Sequence, residues 1–248
     1  MSDEWMPVIK LALSREQFHQ LPRNAAYKYE YINGQAYLTP RPRHYHALLD
    51  LRSFLKDAPA DALEPTALRQ ARVEDFTALV SLFAAAFQRI QPFGSLEHDK
   101  RQEAARQALE RVRTGGDGPW IERASFVALE PESGRPLGAI FVTLLPAGDP
   151  CDWDSYYWST PPPPDCIERR LGRPHLTWIF VSPVCAGRGI GTSLLAAAGR
   201  QLLALGYEEL ASTFMIGNES SMLWHWRNGF RLLAYPGSIR QMRQRHKG

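Results

Sequence analysis

The chain has 248 residues, of which 44% are hydrophobic and 22% charged, and 29 Lys and Arg against 26 Asp and Glu give a formal net charge of +3. These proportions are typical of a folded globular protein, and they exclude a collagen-like, coiled-coil or wholly disordered chain. The small positive charge falls short of the basic surface that follows a phosphate backbone, so nucleic acid is not the expected partner.

The cysteines and the N-terminal segment bear on location and metal binding. Cys151, Cys166 and Cys185 lack the spacing of a zinc site, and an odd number does not suit a disulfide framework. The N-terminal segment has no basic stretch followed by a long apolar core, and the densest apolar run, residues 78–87, is too short to span a membrane. We therefore expect a cytoplasmic protein without a metal or a membrane segment.

The first 65 residues differ from the rest of the chain. Two aromatic-rich segments, residues 27–31 and 35–38, flank Asn33-Gly34, which is a strong signal for a type I′ turn and hence for a β-hairpin. Residues 56–65 are rich in Pro, Ala and Asp, which indicates a linker. We expect an N-terminal extension over residues 1–65, a main domain over residues 66–236 and a basic tail over residues 237–248. The hairpin would extend or cover an edge of the main sheet, or mediate a homodimer.

Residues 66–233 predict a mixed α/β domain. Apolar residues recur with helical spacing after a predicted strand at residues 66–72, at Phe76, Leu79, Val80, Phe83 and Phe87. The remaining predicted elements, in chain order, are a helix at 96–113, strands at 124–130 and 137–145, an irregular proline-rich segment at 149–164, a strand at 175–181, a helix from Ile190 to near Gly206, a strand at 210–216, a helix at 218–228 and a strand at 230–233.

A glycine-rich turn, Gly187-Arg188-Gly189-Ile190-Gly191, joins the strand at 175–181 to the helix that follows. A turn of this kind presents backbone N–H groups and the helix dipole to an anion, here a phosphate or pyrophosphate. It matches neither the phosphate loop GxxxxGK followed by Ser or Thr nor the dinucleotide-binding pattern GxGxxG. Taken alone it is a weak signal, because such turns also occur without a ligand.

Two segments that surround this turn make it more specific. VSPVCAGRGIGTSLL and NESSMLWHWRNGF resemble the two central motifs of the GNAT superfamily, the acyl-CoA-dependent N-acyltransferases. The resemblance covers about residues 66–233 and implies an α/β fold of the α+β type, a mixed central β-sheet flanked by helices, with acetyl-CoA as co-substrate. One departure is Ala186, where the family has Gln or Arg. The coenzyme site that the resemblance implies comprises Phe180, Val181, Ala186, Gly187, Arg188, Gly189, Ile190, Gly191, Thr192, Asn218 and Ser221.

The second motif carries the candidate catalytic residue. Where the family usually has a Tyr, often assigned as general acid to the departing thiolate, this chain has His225. An imidazole with a pKa near 6.5 can donate a proton to a thiolate whose conjugate acid has a pKa of about 8.5. The competing interpretation is that His225, between Trp224 and Trp226, is merely a packed or solvated helix residue. The candidates for the general base on the strands are Glu130, Thr177 and His175, and none stands out.

The segment before the glycine-turn strand offers candidate acceptor contacts. Asp152 and Asp154 are interleaved with Tyr156 and Trp158, a pattern that suits a cationic amine through carboxylate pairing and cation–π contact. The alternative is a surface flap whose aromatic side chains pack on the core while its acids face water.

The resemblance implies an N-acetyltransferase that transfers an acetyl group from acetyl-CoA to a primary amine by direct attack in a ternary complex. The acceptor would be a small molecule or a protein. The alternative is a non-catalytic acyl-CoA-binding regulatory module, which Ala186 and His225 keep open because both depart from the usual motifs. A nucleic-acid-modifying acyltransferase would need salt-sensitive binding to RNA, which a net charge of +3 does not favour.

Overall fold

The computed structural model describes residues 9–23, 27–40, 44–58, 67–148, 158–215 and 217–233. In these ranges the strands are β1 (Ile9–Ala12), β2 (Tyr27–Ile32), β3 (Gln35–Pro40), β4 (His44–Asp50), β5 (Ala67–Gln70), β6 (Phe126–Leu129), β7 (Pro136–Pro146), β8 (Gly172–Val181), β9 (Glu209–Met215) and β10 (Arg231–Leu232). The helices are α1 (Arg15–Gln20), α2 (Leu51–Asp57), α3 (Asp75–Ala86), α4 (His98–Arg113), α5 (Ile190–Ala204) and α6 (Glu219–Arg227), with short 3₁₀ turns at Phe93–Ser95, Glu122–Ala124 and Pro183–Cys185.

A seven-stranded sheet with the order β10-β4-β9-β8-β7-β6-β5 forms the centre of the structure. Its neighbours run antiparallel, except that β8 and β9 are parallel. Alternate residues of β7 enter two hydrophobic clusters, because successive side chains of a strand point to opposite faces. Ile140 and Val142 pack in the cluster that contains α5, whereas Ala139 and Phe141 pack in the cluster that contains α3 and α4. This is the mixed sheet flanked by helices that the sequence predicts.

The helices of the main domain lie close to their predicted positions. α3 buries the predicted stripe through Phe76, Leu79 and Phe83, which are 4%, 0% and 0% exposed. Burial of such a stripe against a sheet supplies most of a helix's stability, so the spacing in the sequence is a sound guide to it.

The predicted N-terminal hairpin is confirmed as β2 and β3. Its turn residues Asn33 and Gly34 have φ values of 50° and 80°, and a type I′ turn requires positive φ at both positions. The hairpin does not extend the larger sheet, because β1, β3 and β2 form a separate three-stranded sheet around Phe18, Ala36 and Leu38. Whether it covers an edge of the larger sheet or mediates a homodimer stays a prediction.

Strand β4 changes the expected division of the chain. It lies between β9 and β10 and runs antiparallel to both, and its residues Ala47 and Leu49 are 0% and 1% exposed within the main core. The predicted boundary at Pro65 and the basic tail over residues 237–248 lie outside the described residues. The larger sheet nevertheless contains a strand from the first 65 residues, so it does not begin at residue 66.

Candidate active site

The parallel strands β8 and β9 pair over a short stretch and then separate. The parallel ladder joins His175 to Ala211 and Leu176 to Ser212, although β8 continues to Val181 and β9 to Met215. At the end of the ladder the register of β8 against β7 shifts between Trp178 and Leu176, so that Thr177 is an extra residue in a β-bulge. A bulge bends its strand and increases its twist. The bulge falls where the pairing of β8 with β9 ends, and we call the space between the unpaired ends of these two strands the cleft.

Backbone groups of β8 line this cleft. The Ser182 N–H donates to the Leu137 carbonyl over 2.7 Å, and Phe180 lies opposite Ala139 on the same side of the ladder. Because N–H and C=O groups alternate in direction along an antiparallel strand, those of Val181 and Ile179 point away from β7 and into the cleft. Of the two predicted thioester contacts, Val181 therefore presents its backbone to the cleft, whereas Phe180 bonds to β7. Ile179 was missed because the sequence does not tell which way a backbone group points.

The glycine turn lies where β8 leads into α5. Gly187 and Gly189 have φ values of 78° and 80°, a left-handed conformation that glycine adopts without strain. A Cβ built on Gly187 would meet nothing within 4 Å, and Gly189 begins α5 without a side-chain cap. The first N–H groups of an α-helix have no partner within the helix, so the amides of Ile190 to Thr192 are available to an anion. The exposed side chains of Ala186 and Arg188 flank the same turn.

Two predicted site residues of this turn also hold α6 in place. A Cβ on Gly191 would lie 3.0 Å from Nε1 of Trp224, so the glycine permits close contact between the two helices. The Thr192 hydroxyl donates to Oδ1 of Asn228 over 2.9 Å, and Nδ2 of Asn228 donates to the Trp224 carbonyl over 2.7 Å. The second motif is thereby brought against the first, as the family resemblance implies.

Asn218 and Ser221 lie at the start of α6. Oδ1 of Asn218 accepts a hydrogen bond from the Ser221 N–H over 3.1 Å, which makes Asn218 the N-cap of the helix. Their role as coenzyme contacts stays a prediction.

The candidate acid His225 is buried on the inner face of α6. It is 3% exposed and stacks on Phe214, with 4.3 Å between ring centroids. Nδ1 lies 2.7 Å from the Ser221 carbonyl, which can only accept, so we assign the ring proton to Nδ1. Nε2 then accepts from the Ser212 hydroxyl over 2.7 Å.

Burial lowers the pKa of His225 to about 4, while its bond to the Ser221 backbone acts in the opposite direction. The ring is therefore neutral at pH 7, and its one N–H is engaged by a carbonyl. A histidine in this state has no free proton to give to a thiolate. The role of His225 as general acid stays a prediction, and its surroundings favour the packed interpretation.

The three candidate bases fall in different places. Glu130 lies at the exposed turn between β6 and β7, where its carboxylate binds Ser133 and Arg135. His175 is 8% exposed, and burial, with the charge of Arg173 nearby, lowers its pKa to about 3. Thr177 occupies the bulge at the end of the cleft. Of the three, Thr177 lies where the cleft begins, whereas His175 lies within the paired stretch of β8 and β9. This arrangement singles out none of them as the general base.

The predicted acceptor residues Asp152, Asp154 and Tyr156 lie outside the described residues. Trp158 is described: its Nε1 donates to the Leu144 carbonyl over 2.9 Å, and the ring packs against the main core. For Trp158 this matches the alternative interpretation, in which the aromatic side chains of the segment pack on the core.

No helix in the described ranges is long and apolar enough to cross a membrane. Within the same part of the chain, no group of three His, Cys, Asp or Glu side chains could hold a metal ion.

The family model for the acetyltransferase (GNAT) family matches residues 99–230, more than half of the chain. The chain belongs to this family. The match contains the bulge in β8, the glycine turn and α6, and it leaves out β4 and the three-stranded sheet. Among curated proteins, none matches this chain.

Several solved structures are similar to this GNAT protein at low identity. A functionally unknown conserved protein from Staphylococcus epidermidis is 10% identical, with 77% of this chain and 57% of that chain covered and a TM-score of 0.48. A GNAT family acetyltransferase from Brucella melitensis, in complex with acetyl-CoA, is 20% identical, with 68% and 88% covered and a TM-score of 0.43. A GCN5-related N-acetyltransferase from Sphaerobacter thermophilus is 16% identical, with 77% and 48% covered and a TM-score of 0.49. The chain spans only about half of the staphylococcal and Sphaerobacter proteins, so nothing of their activities is carried over to it.

Proposed function

We propose that this GNAT protein transfers an acyl group, acetyl in the simplest case, from acyl-CoA to a primary amine. One observation supports this most: a strand edge whose backbone groups at Ile179 and Val181 point away from β7 is followed by an uncapped helix N-terminus at α5. The 3₁₀ turn at Pro183–Cys185 and the turn at Gly187 to Gly189 join the two features, so one extended ligand can place an amide-containing arm at the first and a diphosphate at the second.

The proposed coenzyme site uses the chain's own backbone groups. The amides of Gly187 and of Ile190 to Thr192 bind the pyrophosphate, and the partial positive charge at the start of α5 favours its negative charge. The Arg188 N–H, within the predicted range, already donates to the Cys185 carbonyl over 3.4 Å. The edge of β8 binds the amide-containing arm by backbone hydrogen bonds, with Val181 near the thioester. An N–H group aimed at the thioester carbonyl would stabilise the negative charge that develops on its oxygen.

The proposed reaction needs a neutral amine in the cleft beside β8. The amine nitrogen attacks the thioester carbon and forms the C–N bond, and the C–S bond then breaks with its electron pair on sulfur. The amine gives up a proton, which leaves through water, and the coenzyme thiolate takes a proton. The conjugate thiol has a pKa of about 8.5, so the thiolate can take that proton from water at neutral pH. The reaction therefore does not require a dedicated proton donor such as His225.

A non-catalytic acyl-CoA-binding module is the second candidate. The burial of His225, with both ring nitrogens engaged, favours it, because a module that has lost its chemistry needs no exposed acid. Ala186 at the turn removes one coenzyme side-chain contact in either case.

Release of free thiol from acetyl-CoA, measured with a panel of small primary amines and lysine peptides, separates the two candidates. We expect acceptor-dependent release together with saturable acetyl-CoA binding. Tight binding with no release for any amine would support the module, and the absence of acetyl-CoA binding would overturn both. The acceptor itself, the part of Asp152 and Asp154 in binding a cationic amine, and the cytoplasmic location stay predictions.

A further inference from the structure

Polar side chains from four neighbouring strands meet where β8 and β9 are still paired. They come from β4, β9, β8 and β7, and they point to the same face of the sheet, at His46, Thr213, His175, Thr177 and Thr143. His46 is 5% exposed, His175 is 8% exposed and Thr143 is 0% exposed. Buried polar groups of this kind are costly unless they are hydrogen-bonded, so the geometry of their contacts is informative.

The direction of the hydrogen bonds follows from one end of the cluster. The Thr143 hydroxyl lies 2.8 Å from the Asp117 carbonyl, which can only accept, so Thr143 donates to it. The Thr177 hydroxyl lies 2.8 Å from that of Thr143 and 3.3 Å from the His175 carbonyl. Because Thr143 has no second proton and its contact is the shorter of the two, we assign the Thr177 proton to the bond with Thr143. With its own proton used, Thr177 accepts from Nδ1 of His175, at 3.3 Å. These proton positions are assigned from the network.

The hydrogen bonds continue from His175 through β9 to β4. Burial keeps His175 neutral, because it lowers the pKa to about 3, so the ring carries one proton on Nδ1 and accepts at Nε2. Thr213 donates to that Nε2 over 3.1 Å, and it accepts in turn from Nδ1 of His46 over 3.1 Å. Burial likewise lowers the pKa of His46 to about 3, with the charges of His175, His44 and Arg173 adding to the effect. All five hydrogen bonds therefore run in one direction, from His46 to the Asp117 carbonyl.

This chain of hydrogen bonds ends at a peptide carbonyl, which cannot take up a proton, so it does not conduct a proton out of the cleft. It does pass through Thr177, the bulge residue at which β8 bends away from β9. Hydrogen bonds on both sides of the Thr177 hydroxyl fix that side chain relative to β7 and to His175. This series of hydrogen bonds is therefore suited to hold the bend of β8 in one geometry.

We propose that the His46–Thr213–His175–Thr177–Thr143 chain positions the bulge of β8, and thereby the backbone groups of Ile179 and Val181 that face the acyl group. His46 is a positioning residue for acyl transfer, supplied by a strand outside the segment that the family match covers. The inference rests on the proposed function for its effect on catalysis, whereas the proton arrangement can be tested without any activity.

Nitrogen NMR of the full-length protein labelled at the imidazole nitrogens tests the arrangement directly. We expect His46 and His175 to be neutral at pH 7 and protonated on Nδ1. The substitution Thr143→Val removes the last hydroxyl of the hydrogen-bond network. It should free the Thr177 hydroxyl and shift the Nδ1 signal of His175. A charged ring, a proton on Nε2 of either residue, or a Thr143→Val spectrum identical to that of the wild type would overturn the proposal. These results do not depend on whether an amine acceptor has been found.

Steady-state kinetics with acetyl-CoA and an accepted amine tests the effect on the cleft. A misplacement of the reacting groups by about 1 Å can cost up to about 10²-fold in rate, so we expect about a tenfold lower kcat for Thr143→Val and for His46→Leu. The KM for acetyl-CoA should change less than about twofold, because the glycine turn is untouched. His46→Asn, whose amide can donate where Nδ1 does, should recover most of the kcat.

Matched controls separate positioning from general damage. Thr114→Val makes the same change at an exposed threonine at the end of α4, and His19→Leu makes it at an exposed histidine of α1; neither should alter kcat. A folded Thr143→Val enzyme with wild-type kcat would overturn the proposal, as would a His46→Asn enzyme no faster than His46→Leu. If His46→Leu does not fold, Thr143→Val and the NMR spectra decide.

Discussion

The two ends of the β8–β9 pair differ in almost every physical respect. At the paired end, side chains from β4, β7, β8 and β9 are buried and hydrogen-bonded to one another, and the histidines are neutral. At the open end, the strands are no longer paired, a Cβ on Gly187 would meet nothing within 4 Å, and α5 begins without a side-chain cap. The paired end is suited to keep one geometry, whereas the open end is where we propose that acyl-CoA binds.

Substitutions at the two ends should therefore have different effects. Changes at the paired end should alter stability, or the geometry on which turnover depends. Changes at the open end should alter coenzyme binding and leave the fold intact. His225 belongs with the paired end in this respect, because it is buried and bonded to Ser212 and to the Ser221 carbonyl.

Removal of β4 should have the largest effect. Deleting residues 1–58 removes β4, the second strand from one edge of the seven-stranded sheet, together with α2 and the three-stranded sheet, and leaves β9 and β10 without their shared neighbour. We expect no cooperative thermal unfolding by circular dichroism. Deleting residues 1–40 removes the three-stranded sheet and α1 but keeps β4, and it should leave a cooperative transition. A cooperative transition in the shorter chain would mean that β4 is dispensable.

Lowering the pH should destabilise the paired end at pH values at which most carboxylates are still ionised. Burial lowers the pKa values of His46 and His175 to about 3 and that of His225 to about 4, from 6.5. In the unfolded chain these histidines bind protons below pH 6.5, whereas in the folded chain they stay neutral down to about pH 4. The free energy of unfolding therefore falls as the pH is lowered from 6.5 to about 4. We expect roughly 1 to 2 kcal/mol of lost unfolding free energy per histidine between pH 7 and pH 5, measured by urea titration. Equal stability at the two pH values would contradict the buried, neutral state.

His225→Phe should lower stability more than it lowers turnover. The phenyl ring keeps the stacking on Phe214 but leaves the Ser221 carbonyl and the Ser212 hydroxyl without their partner, at a cost of about 1 to 3 kcal/mol. Because one buried histidine is removed, the loss of unfolding free energy between pH 7 and pH 5 should also be smaller, by the contribution of that histidine.

The kcat of folded His225→Phe distinguishes the two interpretations of this residue. Loss of a general acid lowers the rate by about 10²- to 10⁴-fold, whereas we expect a loss below about tenfold. A larger loss in an enzyme with wild-type acetyl-CoA affinity would restore His225 to the role that the sequence predicts.

Local patterns in the sequence predicted most of the fold. The spacing of Phe76, Leu79 and Phe83 located α3, and Asn33-Gly34 located the hairpin, because each signal acts within a few residues. Strand β4 was missed, although its residues are buried, since nearby prolines and arginines hide the pattern and its partner β9 lies about 160 residues further along the chain. Pairing between such distant segments leaves no local periodicity.

The site was predictable to the same extent. The glycine turn was predicted from its motif, and the structure places α6 against it at Gly191 and Trp224. The contact between the two helices was not predicted. The environment of His225 was not predictable, because helical spacing gives the face of a residue but not its burial or its partners. The link from His46 to Thr177 depends on strand order, which the sequence alone does not reveal.

Coenzyme binding at the open end tests the central claim most directly. Gly187→Asp places a carboxylate beside the amides proposed to bind pyrophosphate, and Gly134→Asp makes the same change at another glycine with positive φ and no atom within 4 Å of its Cβ. Both should cost a similar small amount of stability, roughly 1 to 2 kcal/mol from the left-handed backbone. By isothermal titration calorimetry we expect Gly187→Asp to weaken acetyl-CoA binding by about tenfold or more, and Gly134→Asp to leave it unchanged. Equal affinities for the two variants would contradict the proposed coenzyme site.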